Sequence, residues 1–310
     1  MTIQQCKYIL AIARLGSMNE AAKALLVSQA SLSSAVRELE TEFGIHIFDR
    51  SNKGVRITRE GAEFIRYARQ LLAQYDIITE RYEREDKKAV RNFAVTSQHY
   101  DFVAEAFVRF MKKYRNDYDM SLKEARTIEV IEDVRDLHSD LGILAYLKAP
   151  AGGYMERYLK RNGLDFRPLF ETCPYIFLGR HNPLSGKEKL TREELSELPY
   201  ITYDQGETGP VEFSEELSEY SHTKKHIRIN DRATLMNLLL STDCYTIGTG
   251  IMTSELNNGS VVSVPLVSAD IYTVGVINRA DVGLSEEADR FITILYETIG
   301  AAEPPGSHRR

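Results

Sequence analysis

Residues 28–37 read Ser-Gln-Ala-Ser-Leu-Ser-Ser-Ala-Val-Arg, and these types suit a helix that reads the edges of DNA bases. Gln29 and Arg37 carry the paired hydrogen-bonding groups that distinguish adenine and guanine in the major groove, while Ala30, Ser31, Ser33 and Ser34 are small enough to let the helix approach them. Ser28 can cap that helix. A merely polar solvent face is the alternative, although a surface helix more often holds Glu, Lys or Ala for propensity. Downstream, Arg50, Lys53, Arg56, Arg59, Arg66 and Arg69 face only Glu60 and Glu63. Such a patch suits a polyanion, or is simply a solvated charged face. Arg50, Lys53 and Arg56 could neutralise phosphates or enter a minor groove.

A second set of candidates lies at strand ends. In open α/β sheets ligands bind where strand ends meet helix N-termini, because unpaired amides and the helix dipole favour an anion there. Ser97-Gln98-His99 sits at such a junction and offers hydroxyl, amide and imidazole in sequence, which predicts an anionic small molecule; for His99, an ordinary cap or surface role is the alternative. Thr127 can act as N-cap and as ligand contact, and capping alone would account for it. Gln205, Thr208, Gly248 and Thr249 follow later strands and are expected to face the same cleft. Gly248-Thr249-Gly250 lacks the third glycine of a dinucleotide fingerprint, with Thr253 in its place. His222 and His226 have metal-ligand spacing, but the intervening Thr-Lys-Lys reads as a loop, so a chance pair is expected. No nucleophile elbow, HExxH helix or phosphate-cradling loop occurs. The chain is therefore expected to be no enzyme, with no catalytic residue, cofactor or metal.

These side chains need elements to position them. Ile3, Cys6, Ile9, Leu10 and Ala13 follow a helical period that Gly16 ends. Ser17-Met18-Asn19-Glu20 reads as a capping box for a second short helix. Leu32, Val36, Leu39 and Phe43, spaced 4, 3 and 4, form the inner stripe of the third, which Gly44 stops. Ile45–Asp49 and Val55–Ile57, joined by Ser51-Asn52-Lys53-Gly54, predict a hairpin wing beside that helix. Thr58 caps a long fourth helix whose apolar positions Phe64, Ala68, Leu71, Tyr75, Ile78 and Tyr82 run 4, 3, 4, 3, 4. A heptad seam over about 40 to 45 Å argues for a partner helix and hence a dimer. Packing on the C-terminal domain is the alternative.

Ser17, Ala21-Ala22, Leu25, Ser28-Gln29, Ser33, Leu39-Glu40, Gly44, Phe48, Arg50, Thr58 and Gly61 stand in an order and spacing that resembles the winged helix-turn-helix of the LysR-type transcriptional regulators. One departure is Ala30-Ser31, where many members have a proline, so base preference does not transfer. The resemblance implies an α/β chain with an N-terminal winged helix-turn-helix, a long linker helix and a two-lobed, periplasmic-binding-protein-like effector domain. The expected boundaries are 1–58 for DNA binding, 59–88 for the dimerising helix, 89–302 for the effector domain and 303–310 for a disordered tail. Within the effector domain, subdomain I is expected over 91–165 and 268–302, and subdomain II over 166–267. The alternating strands and helices suggest a parallel sheet, with Phe166–Leu178 read as one strand and crossovers near Asp165 and Val267. The resemblance further implies double-stranded DNA and a small-molecule effector as partners, self-association into dimers and tetramers, and RNA polymerase as a further contact.

The totals fit this picture. In 310 residues the net charge is -6, yet residues 1–75 alone carry +3, so a basic N-terminal region is joined to an acidic remainder. No apolar stretch approaches the roughly 18 residues of a membrane span, and no signal peptide is visible at the N-terminus, so the cytoplasm is the expected location. Cys6, Cys173 and Cys244, odd in number and far apart, are expected to be reduced thiols. A stand-alone solute-binding protein would need only the C-terminal two-thirds. A dimeric architectural DNA-binding protein would leave that region without a purpose.

Overall fold

Capping residues set the helices at the N-terminus. The Thr2 hydroxyl accepts the Gln5 amide and the Gln5 side chain accepts the Thr2 amide, starting α1 (Ile3–Leu15), which Gly16 ends with a left-handed φ of 64°. Ser17 caps α2 (Met18–Ala24) through the Glu20 amide, but the Glu20 carboxylate turns to Lys23 at 2.9 Å, so only half of the expected capping box forms. Ser28 accepts the Ser31 amide at 3.0 Å and starts α3 (Gln29–Phe43), closed by Gly44. Leu32, Val36 and Leu39 turn inward against Ile9, Ile12, Ala21 and Ala22, and this packing joins the three helices. The structure is a computed structural model and describes residues 1–51, 54–83, 91–114, 118–148, 153–206, 213, 215, 224–253 and 259–300. It divides into two units, Met1–Ala89 and Val90–Arg310.

The wing consists of β1 (Phe48–Ser51) and β2 (Gly54–Ile57), antiparallel with Phe48 opposite Ile57. Glu40 on α3 accepts the amides of Ile47 and Phe48 at 2.7 and 3.1 Å, so the hairpin is tied to the helix it flanks. Thr58 then caps α4 (Arg59–Glu83) through the Gly61 amide at 2.9 Å, while its own amide donates to the Ile47 carbonyl. Gly61 is required there, since a Cβ would lie 2.1 Å from that carbonyl oxygen.

The first half of α4 belongs to the helical domain rather than to a separate linker. Ala68 and Leu72 bury against Cys6, with Ile3, Leu10 and Phe64 packed beside them. Of the expected seam, Ala68 is therefore covered by α1, Phe64 packs against Phe43, and the Tyr75 ring lies under Lys7. Leu71 and Ile78 remain exposed at 39% and 58%, with Ile77 beside them at 59%. Tyr82 falls within α4.

The second unit contains two five-stranded sheets. The first has the order β4-β3-β5-β12-β6, from β3 (Arg91–Ser97), β4 (Tyr118–Glu124), β5 (Leu141–Leu147), β6 (Leu164–Thr172) and β12 (Tyr272–Arg279). The second has the order β11-β7-β10-β8-β9, from β7 (Tyr175–Gly179), β8 (Tyr200–Tyr203), β9 (His226–Ile229), β10 (Tyr245–Gly248) and β11 (Val261–Pro265). Both are mixed rather than purely parallel: β12 runs antiparallel to β5 and β6, and β7 to β10 and β11. Helices α5 (Asp101–Met111) and α10 (Glu286–Ile299) close the first sheet around Phe93, Phe102, Phe110 and Phe291. On the same lobe lie α6 (Thr127–Arg135) and α7 (Tyr154–Arg161), the latter not foreseen from sequence. In the second lobe are α8 (Arg192–Leu195) and α9 (Arg232–Ser241).

The run Phe166–Leu178, expected as one strand, is two. Its first part pairs with β12 in the first sheet and its second with β10 and β11 in the other, separated by Cys173-Pro174. Proline has no amide to donate to a ladder, so the strand ends there and the chain crosses between lobes at 173–174 rather than near Asp165. The return crossing lies between Pro265 and Tyr272, around the expected Val267. Cys6 and Cys244 are buried, Cys173 is half-buried, and all three are free thiols.

Gly61→Ala should destabilise the N-terminal unit by about 1 to 3 kcal/mol, the usual range for forcing a methyl into a packed site. Urea unfolding followed by circular dichroism would measure it, and an unchanged midpoint would show that the Ile47 carbonyl can yield.

Candidate functional site

The exposed face of α3 is one candidate surface. Gln29, Ala30, Ser31, Ser34 and Arg37 are exposed along it, Ser33 is half-buried, and the Ser28 cap is exposed at its start. Two local bonds order the face without covering it: Ser28 to Ser31 between hydroxyls at 2.7 Å, and Ser34 to Glu38 at 3.2 Å. Arg56 is exposed on β2. Arg50 lies in β1, and Lys53 falls outside the described residues. Helix face and wing are thus tethered to each other through Glu40.

The other candidate is a cavity of about 430 Å³ between the two lobes of the C-terminal unit. His99, Gly248 and Thr249 line it, as their strand-end positions predicted. A side chain at Gly248 would strike the Phe177 ring, its Cβ lying 2.4 Å from that ring, so glycine keeps this wall clear.

Ser97, Gln98 and Thr127 do not line it. All three are fully buried, and the last two are occupied with each other. The Gln98 amide donates to Thr127 Oγ1, while its carbonyl accepts the Ala145 amide at 2.7 Å and the Tyr100 hydroxyl at 2.5 Å. One side chain thereby ties the end of β3 to α6, to β5 and to the start of α5. Its donors are spent inside the protein and unavailable to a ligand. Gln205 donates to Glu215 at 3.0 Å, behind the cavity wall. Thr208 and His222 lie outside the described residues, and His226 stands in β9, bonded to Thr202. Among the described residues no group of three or more His, Cys, Asp or Glu side chains could hold a metal ion.

The rigid turn at Gln98 presents His99 to the opposite lobe. Its ring stacks on Tyr203 at 3.7 Å with 8° between planes, and Nδ1 lies 3.0 Å from the Glu215 carboxylate, which also accepts the His99 amide. Both side chains of the pair are almost fully buried. Burial alone would push the imidazole pKa down, but the hydrogen bond to Glu215 and the carboxylates of Glu215 and Glu124 outweigh it, and the net shift is upward.

Further links cross between the lobes. Arg232 Nε is 2.9 Å from Glu124 Oε1, Arg126 is 3.0 Å from Asp204, and the Asp101 carboxylate accepts the Thr253 amide at 2.8 Å. Burial raises the carboxyls of both Asp101 and Glu124 above the usual range. Asp231 caps α9 through the Thr234 amide and hydroxyl, and these bonds hold its carboxyl low. The lining thus holds Asp101, Glu124, Glu215 and Asp231 with Arg232 and His99, together with the apolar side chains Phe177, Leu235, Met236, Leu239, Ile247 and Ile251.

Sequence reasoning missed this acidic set. Asp231-Arg232 follows β9 and opens α9, the same strand-to-helix position that nominated Ser97–His99, so the rule that found one junction could have found the other. Glu215 carried no local signal. Its role depends on meeting His99, 116 residues away in the chain.

Because folding raises the His99 pKa, the pair's contribution to stability is complete below the unfolded value of about 6.5 and is lost as pH rises through the higher folded value. The stability difference between wild type and His99→Gln should therefore shrink over that interval in urea titrations. A difference that stays constant from about pH 5 to about pH 9 would mean that His99 does not titrate against Glu215.

Comparison with known proteins accords with both surfaces. A family model described as the bacterial regulatory helix-turn-helix protein, lysR family, matches residues 3–62, and one described as the LysR substrate binding domain matches residues 84–299. The HTH-type transcriptional regulator CysB of Haemophilus influenzae is 29% identical over 214 residues, 67% of this chain and 63% of that protein. The uncharacterised regulator YbhD of Escherichia coli is 23% identical over 305 residues, 94% of this chain and 90% of that one. Among solved structures, an OxyR mutant from Corynebacterium glutamicum has a TM-score of 0.54 at 18% identity, covering 96% of this chain and 93% of that one. Full-length CbnR complexed with its target DNA has a TM-score of 0.51 at 17% identity, covering 96% and 100%. CysB and YbhD are named as HTH-type transcriptional regulators, and the OxyR and CbnR structures share the fold of this chain. A DNA-binding helix-turn-helix and a substrate-binding domain occupy nearly the whole chain, which belongs to the LysR family of bacterial transcriptional regulators.

Proposed function

We propose that this chain is a sequence-specific DNA-binding regulator, dimeric or tetrameric, whose state is set by a small molecule in the interlobe cavity. The observation that carries the DNA-binding half is the exposed, polar, small-residue face of α3 beside a wing tied to it by Glu40. Gln29 and Arg37 read base edges, Ser28, Ala30, Ser31, Ser33 and Ser34 allow close approach, and Arg50, Lys53 and Arg56 hold phosphates. CbnR, of similar fold, is complexed with its target DNA in its solved structure. The exposed apolar part of α4, Leu71 with Ile77 and Ile78, supplies a surface that a second copy's helix would cover. Two recognition helices would then lie on successive major-groove faces of a dyad-symmetric site. Contact with RNA polymerase from such an assembly, and a cytoplasmic location, belong to the same reading. Among the described residues, no helix is long and apolar enough to cross a membrane.

The expected anionic effector rested on the donors of Ser97, Gln98 and His99; the first two are buried away from the cavity, and His99 is bonded to Glu215. The effector site therefore rests on His99, Gly248 and Thr249 with Tyr203, Glu215 and Arg232. Occupancy acts on DNA binding only if the molecule binds two arrangements of the protein with different affinity.

Selecting duplexes from a randomised library with the full chain at near-physiological salt should enrich a dyad; no DNA binding at all would overturn this reading. On the enriched site, Arg37→Ala and Gln29→Ala should each cost about 1 to 3 kcal/mol of discrimination, whereas Arg56→Ala should weaken all sequences alike and reduce the salt slope by about one. Equal loss of specific and non-specific affinity in all three variants would defeat that division of roles. Ile78→Glu places a charge on the proposed dimer face and should yield monomers by light scattering; an intact dimer would move the interface elsewhere.

A further inference from the structure

The charge of the cavity names the class of molecule it accepts, given that the cavity is the effector site. Among the described residues, four carboxylates line it against one guanidinium and one imidazole. Each cation already faces a carboxylate: Arg232 Nε lies 2.9 Å from Glu124, and His99 bonds Glu215. Counted by formal charge, with every carboxylate ionised and His99 protonated, the lining carries an excess of two negative charges. A carboxylate or phosphate entering here would add to that excess, and like charges repel.

A cation would do the opposite. The carboxyls of Asp101 and Glu124 sit above their usual range because burial disfavours their charged forms, and an incoming positive group would stabilise both. Its carboxylates come from both lobes, Asp101 and Glu124 from the first and Glu215 and Asp231 from the second, and the same lining contains the apolar side chains Phe177, Leu235, Met236, Leu239 and Ile251. A lining that combines acidic and apolar groups suits a charged head carried on an apolar body.

The geometry points to an effector with an apolar body and one protonated amine, the ammonium held among Asp101, Glu124 and Glu215 and the body against Phe177, Leu235 and Met236. The ammonium would donate to the carboxylates of both lobes at once, adding to the links already formed by Arg232 and His99.

The test uses the full-length chain and three matched series of compounds, primary amines, alcohols and carboxylates on aryl or alkyl bodies of roughly six to ten carbons, a size range suited to a small ligand pocket. 2-Phenylethylamine, 2-phenylethanol and phenylacetate are the first trio. Calorimetry and thermal shift near neutral pH should show amines binding about tenfold or more tighter than their alcohols, with carboxylates weakest. Glu124→Gln and Asp101→Asn should each lower amine affinity by about fivefold to tenfold while leaving alcohol binding in place, the latter serving as the control for folding. Carboxylates binding best, or alcohols binding as well as amines, would overturn the cationic class and leave the effector reading standing. No response from any series would overturn both. Amine binding unchanged in both variants would remove the carboxylates from the site and sink the proposal.

Discussion

Two sheets joined by two chain crossings can hold a fixed distance only if side chains meet across the gap, and His99 is one place where they do. Its ring covers Tyr203 and its Nδ1 reaches Glu215, both contributed by the stretch after β7. Neither contact would survive a mobile backbone at the end of β3. Gln98 provides the rigidity, because its amide satisfies partners on α6, β5 and α5 at once in a site closed to water. Buried polar groups with every bond made specify one geometry, and losing one partner would leave the rest unsatisfied. The cavity's shape therefore rests on a residue that does not touch its contents.

A similar division holds in the N-terminal unit. The residues that face outward along α3 are placed by others that face inward or sideways: Leu32, Val36 and Leu39 fix its rotation, Ser28 and Gly44 fix its ends, and Glu40 fixes the wing beside it. Gly61 lets α4 begin directly under the Ile47 carbonyl, which brings Ala68 and Leu72 onto α1. α4 thus serves two purposes along its length. Its first half completes the helical core, and its second half carries apolar side chains that no described residue covers to the same degree.

What was legible in the sequence follows from this division. Helix ends and inner stripes depend on residues within one or two turns of each other, so Ser17, Ser28, Gly16, Gly44 and the Leu32–Leu39 stripe declared themselves. The polar, small-residue face of α3, the candidate DNA-reading surface, was visible for the same reason. The 4-3-4 pattern of α4 was equally plain but ambiguous, because a heptad seam does not say whether its partner lies in the same chain, and Ala68 found α1 while Ile78 did not. In the second unit, strand ends predicted His99, Gly248 and Thr249 but also Ser97, Gln98 and Thr127, since a strand end has the same local sequence whether its side chains turn to a cavity or to the core. Pro174 could have signalled the break that moved the lobe boundary. Glu215 could not, because its partner is set by tertiary approach alone.

The same tertiary approach decides how occupancy can matter. Glu124 with Arg232, Arg126 with Asp204, Asp101 with Thr253 and His99 with Glu215 all join one lobe to the other, and of these Glu124, Arg232, Asp101, His99 and Glu215 also line the cavity, so polar groups open to a ligand also hold the lobes together. A molecule that bonds these groups while keeping the links adds to closure, and one that must displace a link to enter opposes it. A ligand shifts a two-state equilibrium only by its difference in affinity for the two states. Groups shared between closure and binding make that difference unavoidable, whereas a cavity lined by one lobe alone would bind its ligand equally well in either arrangement.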